Sequence, residues 1–189
     1  MIQGKIIDFV PLSANHNEFM VSLLNNQEIA FLEGRTEPMV SIEKQDNWYR
    51  NNLNSPHQYL IIQPKNDTKP VGYMSMKITD KVSGSALLGI KLPPESQRKG
   101  YGLDAVKTLM NHCFFTFNLH RLYTYILEYN EGSQHLFINK CGWRIEGTEK
   151  KSIFARGEYH DRLMLAILRE EFIKNETDPF YNPFASGNH

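Results

Sequence analysis

One stretch of the chain joins a strand pattern to a helix pattern, and this order constrains the fold more than any other feature. The segment SALLGIKL (85–92) reads as a β-strand. The next segment, PPESQRKGYG (93–102), contains two prolines, two glycines and basic residues. After it, apolar residues recur at steps of three and four, which predicts one buried helix face. These residues are Leu103, Val106, Met110, Cys113, Phe114 and Phe117.

The other elements predict a mixed sheet with helices packed on it. Their order is βαα, ββ, β, α, β, α, ββ, with hairpins first and β-α-β crossovers later. A loop is expected at 31–40, where Gly34 and Pro38 break the pattern. We expect an α/β (α+β) fold with a central mixed sheet of about six to seven strands, flanked by about four helices. Residues 1–172 are expected to form one domain, and residues 173–189 an irregular C-terminal tail.

The amino-acid composition argues against several classes of binding partner. The 189 residues carry 21 Lys and Arg against 21 Asp and Glu, whereas nucleic-acid-binding proteins usually have a basic excess. No run approaches the roughly 18 apolar residues of a membrane helix, and the N-terminus lacks a signal-peptide pattern. Cys113 and Cys141 do not have metal-site spacing. We therefore expect a cytoplasmic protein with no nucleic-acid, membrane or metal partner.

The basic segment before the helix has the chemistry of an anion site. Backbone amides at a helix start have no acceptor within the helix, and the helix dipole makes that end positive. Glycine allows close approach of a ligand, and Arg98 and Lys99 add positive charge. The spacing lacks the Ser or Thr of a P-loop, and its glycines come too late for a dinucleotide-binding turn. A phosphate group is the expected ligand.

Three motifs in order resemble the GNAT superfamily, the GCN5-related N-acetyltransferases. QRKGYG (97–102) is similar to the family's Q/R-x-x-G-x-G/A pyrophosphate loop. NEGSQHLFINKCGW (130–143) resembles its N-x-x-S/A…K-x-G-F segment, with Trp143 in place of Phe. EG (146–147) and GEYHD (157–161) resemble the RimJ/RimL-like branch. The likeness covers roughly residues 5–172 in element order.

The resemblance implies that acetyl-CoA binds between two central parallel strands. Backbone groups near Ile90 and Leu92 would hold the pantetheine arm, and backbone amides from Arg98 to Gly102 the pyrophosphate. Arg98 and Lys99 either assist at the 3′-phosphate or lie in solvent. The implied acetyl-CoA-binding residues are Ile90, Leu92, Gln97, Arg98, Lys99, Gly100, Tyr101, Gly102, Asn130 and Ser133.

The same resemblance implies the catalytic groups. A backbone N–H in 88–92 would stabilise the oxyanion, and the leaving thiolate needs a proton donor. Phe137 stands where many relatives have a tyrosine donor, so Ser133 is the predicted donor. Leu87 and Ile153 stand where relatives have carboxylates, which leaves the general base open. The candidate bases are Glu33, Glu95, Glu128 and His120, and the implied catalytic set is Ser133, Asn130 and Glu95.

These residues predict an enzyme that transfers acetyl from acetyl-CoA to a primary amine. The acceptor is either a protein N-terminus, as in RimJ/RimL-like enzymes, or a small amine, and an acidic pocket would favour a polyamine. The alternative is a non-catalytic acyl-CoA-binding sensor, which the missing carboxylates and tyrosine support. A homodimer through Leu163 to Ile167 is also open.

Overall fold

A computed structural model describes residues 1–35 and 39–185, so Pro38 and residues 186–189 of the expected tail lie outside the described residues. The chain forms an eight-stranded sheet of order β1-β2-β3-β4-β5-β6-β8-β7. The strands are β1 (Ile2–Gln3), β2 (Ile7–Pro11), β3 (His57–Pro64), β4 (Gly72–Asp80), β5 (Ser85–Lys91), β6 (Arg121–Leu127), β7 (Arg144–Ala155) and β8 (Glu158–Leu168). The α-helices are α1 (Asn17–Leu24), α2 (Gln27–Leu32), α3 (Ile42–Asn52), α4 (Tyr101–Asn111), α5 (Glu131–Gln134) and α6 (Arg169–Asn175).

The sheet is antiparallel except at its centre, where β5 and β6 run parallel. Their pairing covers Ser85 to Leu87 on β5 and ends at the Leu87–Tyr123 pair. Both strands continue well beyond that pair, to Lys91 and Leu127. The two strands therefore separate into a fork in the middle of the sheet.

Alternation along the strands gives the sheet two different faces. On one face, Met74, Met76, Ala86 and Leu88 are at most 1% exposed and belong to the main core, which includes the apolar side of α4. On the other face, a second core cluster joins Ile61 and neighbouring strand residues to α1 and α2. None of the helices within 1–35 and 39–185 is long and apolar enough to cross a membrane.

The predicted fold class is confirmed, and the number of elements is corrected. The sheet has eight strands rather than six or seven, because the short β1 folds back on β2 and pairs Ile2 with Phe9. Six α-helices stand in the described residues where about four were expected. α2 forms because Asn26 caps the amides of Glu28 and Ile29, each at 3.0 Å, in a segment without clear periodicity. α6 begins where the Glu171 carboxylate accepts the amide of Leu168, and it spans the expected domain boundary at 172.

Asp104, in the first turn of α4, connects both ends of the chain to this helix. Its carboxylate is 3% exposed and accepts five hydrogen bonds. Three of the donors are the backbone amides of Lys5, Ile6 and Ile7, at 2.6 to 3.0 Å. The other two donors are the hydroxyls of Thr108 and Tyr181. The segment that follows α6 is therefore docked against α4, while the extent of the domain stays a prediction.

Candidate active site

The fork between β5 and β6 opens into a cavity of about 330 Å3. Thr124 on β6 donates its hydroxyl to the carbonyl of Leu88 at 2.9 Å, at the point where regular pairing has ended. Beyond it, the backbone edge of β5 from Leu88 to Lys91 faces the cavity. An extended chain with amide groups, such as a pantetheine arm, fits an edge of this kind.

The start of α4 lies directly after this strand and has the backbone form of an anion cradle. Arg98 (φ 58°) and Gly100 (φ 85°) both adopt left-handed conformations, which is rare for a residue with a side chain. Asp104 is the first residue of the helix whose backbone amide has a backbone hydrogen-bond acceptor, which is the Gly100 carbonyl at 3.1 Å. Gln97 fixes the entry to the loop by donating to the carbonyl of Leu92 at 3.1 Å. The amides between them match the predicted pyrophosphate loop.

The cradle has no space for bulk at its second glycine. A Cβ on Gly102 would lie 3.0 Å from the Leu92 side chain and 3.5 Å from that of Leu136. Tyr101 is half-buried beside it, whereas Arg98 and Lys99 are exposed. This exposure is compatible with both roles predicted for Arg98 and Lys99, contact with the 3′-phosphate or a position in solvent. Glycine at 102 therefore keeps the helix start close to the end of β5.

Asn130 and Ser133 form the opposite wall of the cavity, and Asn130 has a structural role there. Its side chain caps α5 by accepting the amide of Ser133 at 3.1 Å, and it donates to the carbonyl of Leu32 at 3.1 Å. Ser133 also lines the cavity, and its hydroxyl takes no part in these two hydrogen bonds of Asn130. Phe137 also lines it, packed edge-on against Trp143 at 4.9 Å between ring centres.

One face of β3, β4 and β5 forms the bottom of the cavity, and we call it the polar floor. Its members occupy alternate positions of three paired strands and all line the cavity. They are His57, Tyr59, Tyr73, Ser75, Lys77, Leu87, Gly89 and Lys91. The sequence analysis missed most of these residues. Their signal is the polar and aromatic content of every second position in strands whose other face is apolar.

A charged cluster occupies one end of the polar floor. The Lys91 ammonium donates to the Tyr73 hydroxyl at 2.8 Å and lies 2.8 Å from Glu33. Burial on its own would lower the pKa of Lys91, but Tyr73 and Glu33 outweigh it and raise that pKa. Burial also raises the pKa of Tyr73. Lys91 is thus a firmly protonated cation, and Tyr73 keeps its phenolic proton.

Among the four candidate bases, Glu33 lines the cavity. Its position follows from the end of α2, where Gly34 (φ 65°) and the Arg35 amide, bonded to the Ala30 carbonyl at 2.9 Å, close the helix with a Schellman turn. The other three lie elsewhere and are exposed. They are Glu95 on the turn after β5, Glu128 beside His160 and His120 before β6.

The last residue of the GEYHD segment (157–161) has a local structural role. Asp161 accepts from the Lys150 ammonium at 2.7 Å and from the Lys151 amide at 2.8 Å, which holds the pKa of Asp161 below its usual value. It thereby fixes the irregular part of the β7–β8 hairpin. In the described residues, no three His, Cys, Asp or Glu side chains come together as metal ligands.

Known proteins share this architecture. Residues 7–144 match the acetyltransferase (GNAT) domain family. Spermidine N(1)-acetyltransferase of Vibrio cholerae is 23% identical over 150 residues, covering 79% of this chain and 86% of that protein. The probable N-acetyltransferase YjcK of Bacillus subtilis is 25% identical, covering 90% and 98%.

A solved structure agrees in fold. The Vibrio cholerae spermidine N-acetyltransferase in complex with CoA and spermine superposes with a TM-score of 0.81 at 22% identity, over 88% of this chain and 98% of that one. The RimJ/RimL-like branch stays a prediction. The chain therefore belongs to the GNAT acetyltransferase family and is an acetyl-CoA-dependent N-acetyltransferase.

Proposed function

We propose that the protein acetylates the primary amine of a small molecule. The observation that supports this best is the single cavity that joins the β5 edge to the polar floor. Its volume of about 330 Å3 lies at the lower end of small-molecule pockets, which suits a small acceptor better than a folded protein terminus. Spermidine N-acetyltransferases among its relatives also act on small amines.

The residues divide into those for the donor and those for the acceptor. The amides from Arg98 to Gly102 would hold the diphosphate of acetyl-CoA, and the β5 edge near Ile90 its pantetheine arm. The amine forms a C–N bond with the acetyl carbon, the C–S bond breaks, and coenzyme A leaves as a thiol. The proton lost by the amine goes to water or to a cavity base, and Ser133 supplies the proton to sulfur.

Glu33 is a poor choice for that base in this conformation. Both of its oxygens are already in ion pairs, at 2.7 Å with Arg35 and 2.8 Å with Lys91. His57 is a better-placed alternative, since burial, followed by the charge of Lys77, lowers its pKa and leaves the imidazole neutral near pH 7. Its Nδ1 lies 3.4 Å from the Tyr59 hydroxyl on the polar floor.

Release of free thiol from acetyl-CoA tests the proposal directly. With a panel of small primary amines, we expect thiol release that is coupled one-to-one to acetylated amine. Peptides with free N-termini should be poorer substrates than the best small amine. Tight binding of acetyl-CoA without thiol release across small amines and peptides alike would instead support the acyl-CoA sensor.

Ser133→Ala tests the predicted proton donor. We expect kcat to fall about tenfold to a hundredfold, the range for loss of one general acid, with little change in acetyl-CoA affinity. Ser133→Thr is the matched control, because it keeps the hydroxyl. Steady-state kinetics with calorimetry measure both quantities, and an equal loss in both would make Ser133 a binding residue only.

A further inference from the structure

We propose that the acceptor carries, besides its amine, a negatively charged carboxylate or phosphate group, which Lys77 binds at the far end of the polar floor. This inference rests on the proposed function and names the class of small amine. It departs from the polycationic acceptors named for the relatives.

The charges that line the cavity are mostly positive. Among its described lining residues, the cations are Lys77, Lys91 and Arg162, and the carboxylate is Glu33. A polyamine places a second ammonium group several bonds from the reacting amine, and that group needs a free carboxylate in a partly desolvated site. The described lining offers Glu33 alone for this purpose.

Glu33 is not free to bind a second ammonium group. One oxygen pairs with the Lys91 ammonium and the other accepts from the Arg35 guanidinium. A substrate cation bound there would lie beside both of these cations, and the three side chains are between 17% and 27% exposed. The cluster of one carboxylate and two cations has a net positive charge, so it repels a further cation.

Lys77 differs from the other two cations in the cavity. Lys91 is paired with Glu33, and Arg162 holds Glu149 at 2.6 Å while stacking on Tyr125. Lys77 has no ion pair with any carboxylate of the residues described. Its neighbour across the strands is His57, a neutral imidazole that does not compete for an anion.

The spacing suits a short acceptor that lies along the floor. Lys77 pairs with Leu87 in the sheet, and Leu87 lies four residues before Lys91. Four strand residues span about 13 Å, so the paired and the unpaired cation stand at opposite ends of the floor. Gly89 and Ser75 face each other between them, next to the β5 edge, and the Ser75 hydroxyl lies over Gly89, so no side chain larger than serine stands at this centre. An amine at this centre places an anion a few bonds away within reach of Lys77.

Three four-carbon amines that differ in charge test the inference. They are 4-aminobutyrate, 4-aminobutanamide and putrescine, and the assay is kcat/KM for thiol release. We expect the anion to exceed the amide severalfold and putrescine by more, since Lys77 is exposed and solvent weakens an exposed charge pair. Phosphoethanolamine against ethanolamine separates phosphate from carboxylate as the preferred anion.

Substitutions at Lys77 identify the residue responsible. Lys77→Gln should lower the ratio of kcat/KM for the preferred anionic amine to kcat/KM for the amide severalfold, mainly through KM, and leave acetyl-CoA affinity unchanged. Lys77→Glu should shift the preference toward putrescine. Lys81→Gln, in the exposed turn after β4, is the matched control and should change nothing.

Different outcomes would contradict the anionic acceptor, the role of Lys77 and the proposed acetylation of a small amine. Thiol release that is fastest with putrescine or spermidine, or equal for all three charges, would overturn the anionic acceptor and leave the acetyltransferase intact. An anion preference that Lys77→Gln does not alter would overturn the role of Lys77. No thiol release with any amine would overturn the proposed function itself.

Discussion

The Gly102→Glu variant is expected to bind coenzyme A at least ~100-fold more weakly than the natural protein, a loss of about 2.8 kcal/mol. The new carboxylate would stand in the first turn of α4, among the amides proposed to hold the diphosphate, where like charges repel. Its Cβ would also press on Leu92, whose side chain comes within 3.0 Å. Titration calorimetry with coenzyme A measures the loss.

Gly102→Gln separates charge from bulk in this test. It has almost the same volume as glutamate, so it should retain most of the steric loss and none of the repulsion. Thermal unfolding should stay within a few degrees for both variants, since the contact with Leu92 is with the flexible end of a side chain. If Gly102→Glu bound coenzyme A with unaltered affinity, the amides from Arg98 to Gly102 would not be part of the coenzyme A site.

Asp104→Asn is expected to cost about 3–5 kcal/mol of unfolding free energy, because it leaves at least two buried hydrogen-bond donors without an acceptor. One oxygen of the carboxylate accepts from the Lys5 amide and the Thr108 and Tyr181 hydroxyls, and the other from two further amides. An amide side chain leaves at least two of these donors facing an NH2 group. For a chain of this length, the melting temperature should fall on the order of 10 °C.

Tyr181→Phe provides the graded control for that prediction. It removes one of the five hydrogen bonds and keeps the ring, so it should cost about 1.5 kcal/mol. Burial and the Asp104 carboxylate both raise the pKa of Tyr181, so its hydroxyl stays a donor at any ordinary pH. Chemical denaturation measures both variants, and equal stability of Asp104→Asn and the natural protein would contradict the network.

Much of the fold was predictable because its signals are local. Apolar spacing predicted the buried face of α4, where Val106 and Met110 are fully buried. The extra elements depend on longer-range contacts. β1 exists because a distant carboxylate, Asp104, holds the turn that follows it, and no sequence pattern near residue 2 shows that contact.

The loop at the start of α4 was more predictable than the polar floor. The loop from Gln97 to Gly102 is continuous in sequence, so a motif describes it. The polar floor gathers alternate residues of three strands, and Glu33 reaches Lys91 from 58 positions away only through the fold (91 − 33). The proposed roles of Ser133, Asn130 and Glu95 in catalysis stay predictions. Of these, Asn130 has a visible task in capping α5, and Glu95 lies outside the cavity lining.

The fork in the sheet has a consequence for the stability of the folded protein. In the part of the chain that the structure describes, β5 and β6 are joined by three backbone-paired positions, from Ser85–Arg121 to Leu87–Tyr123, and by the Thr124–Leu88 hydrogen bond. A nucleotide that fills the gap and binds only the folded chain adds about 2.7 kcal/mol to stability when present at a hundred times its dissociation constant. Bound acetyl donor would therefore stabilise the folded chain as well as supply the acetyl group.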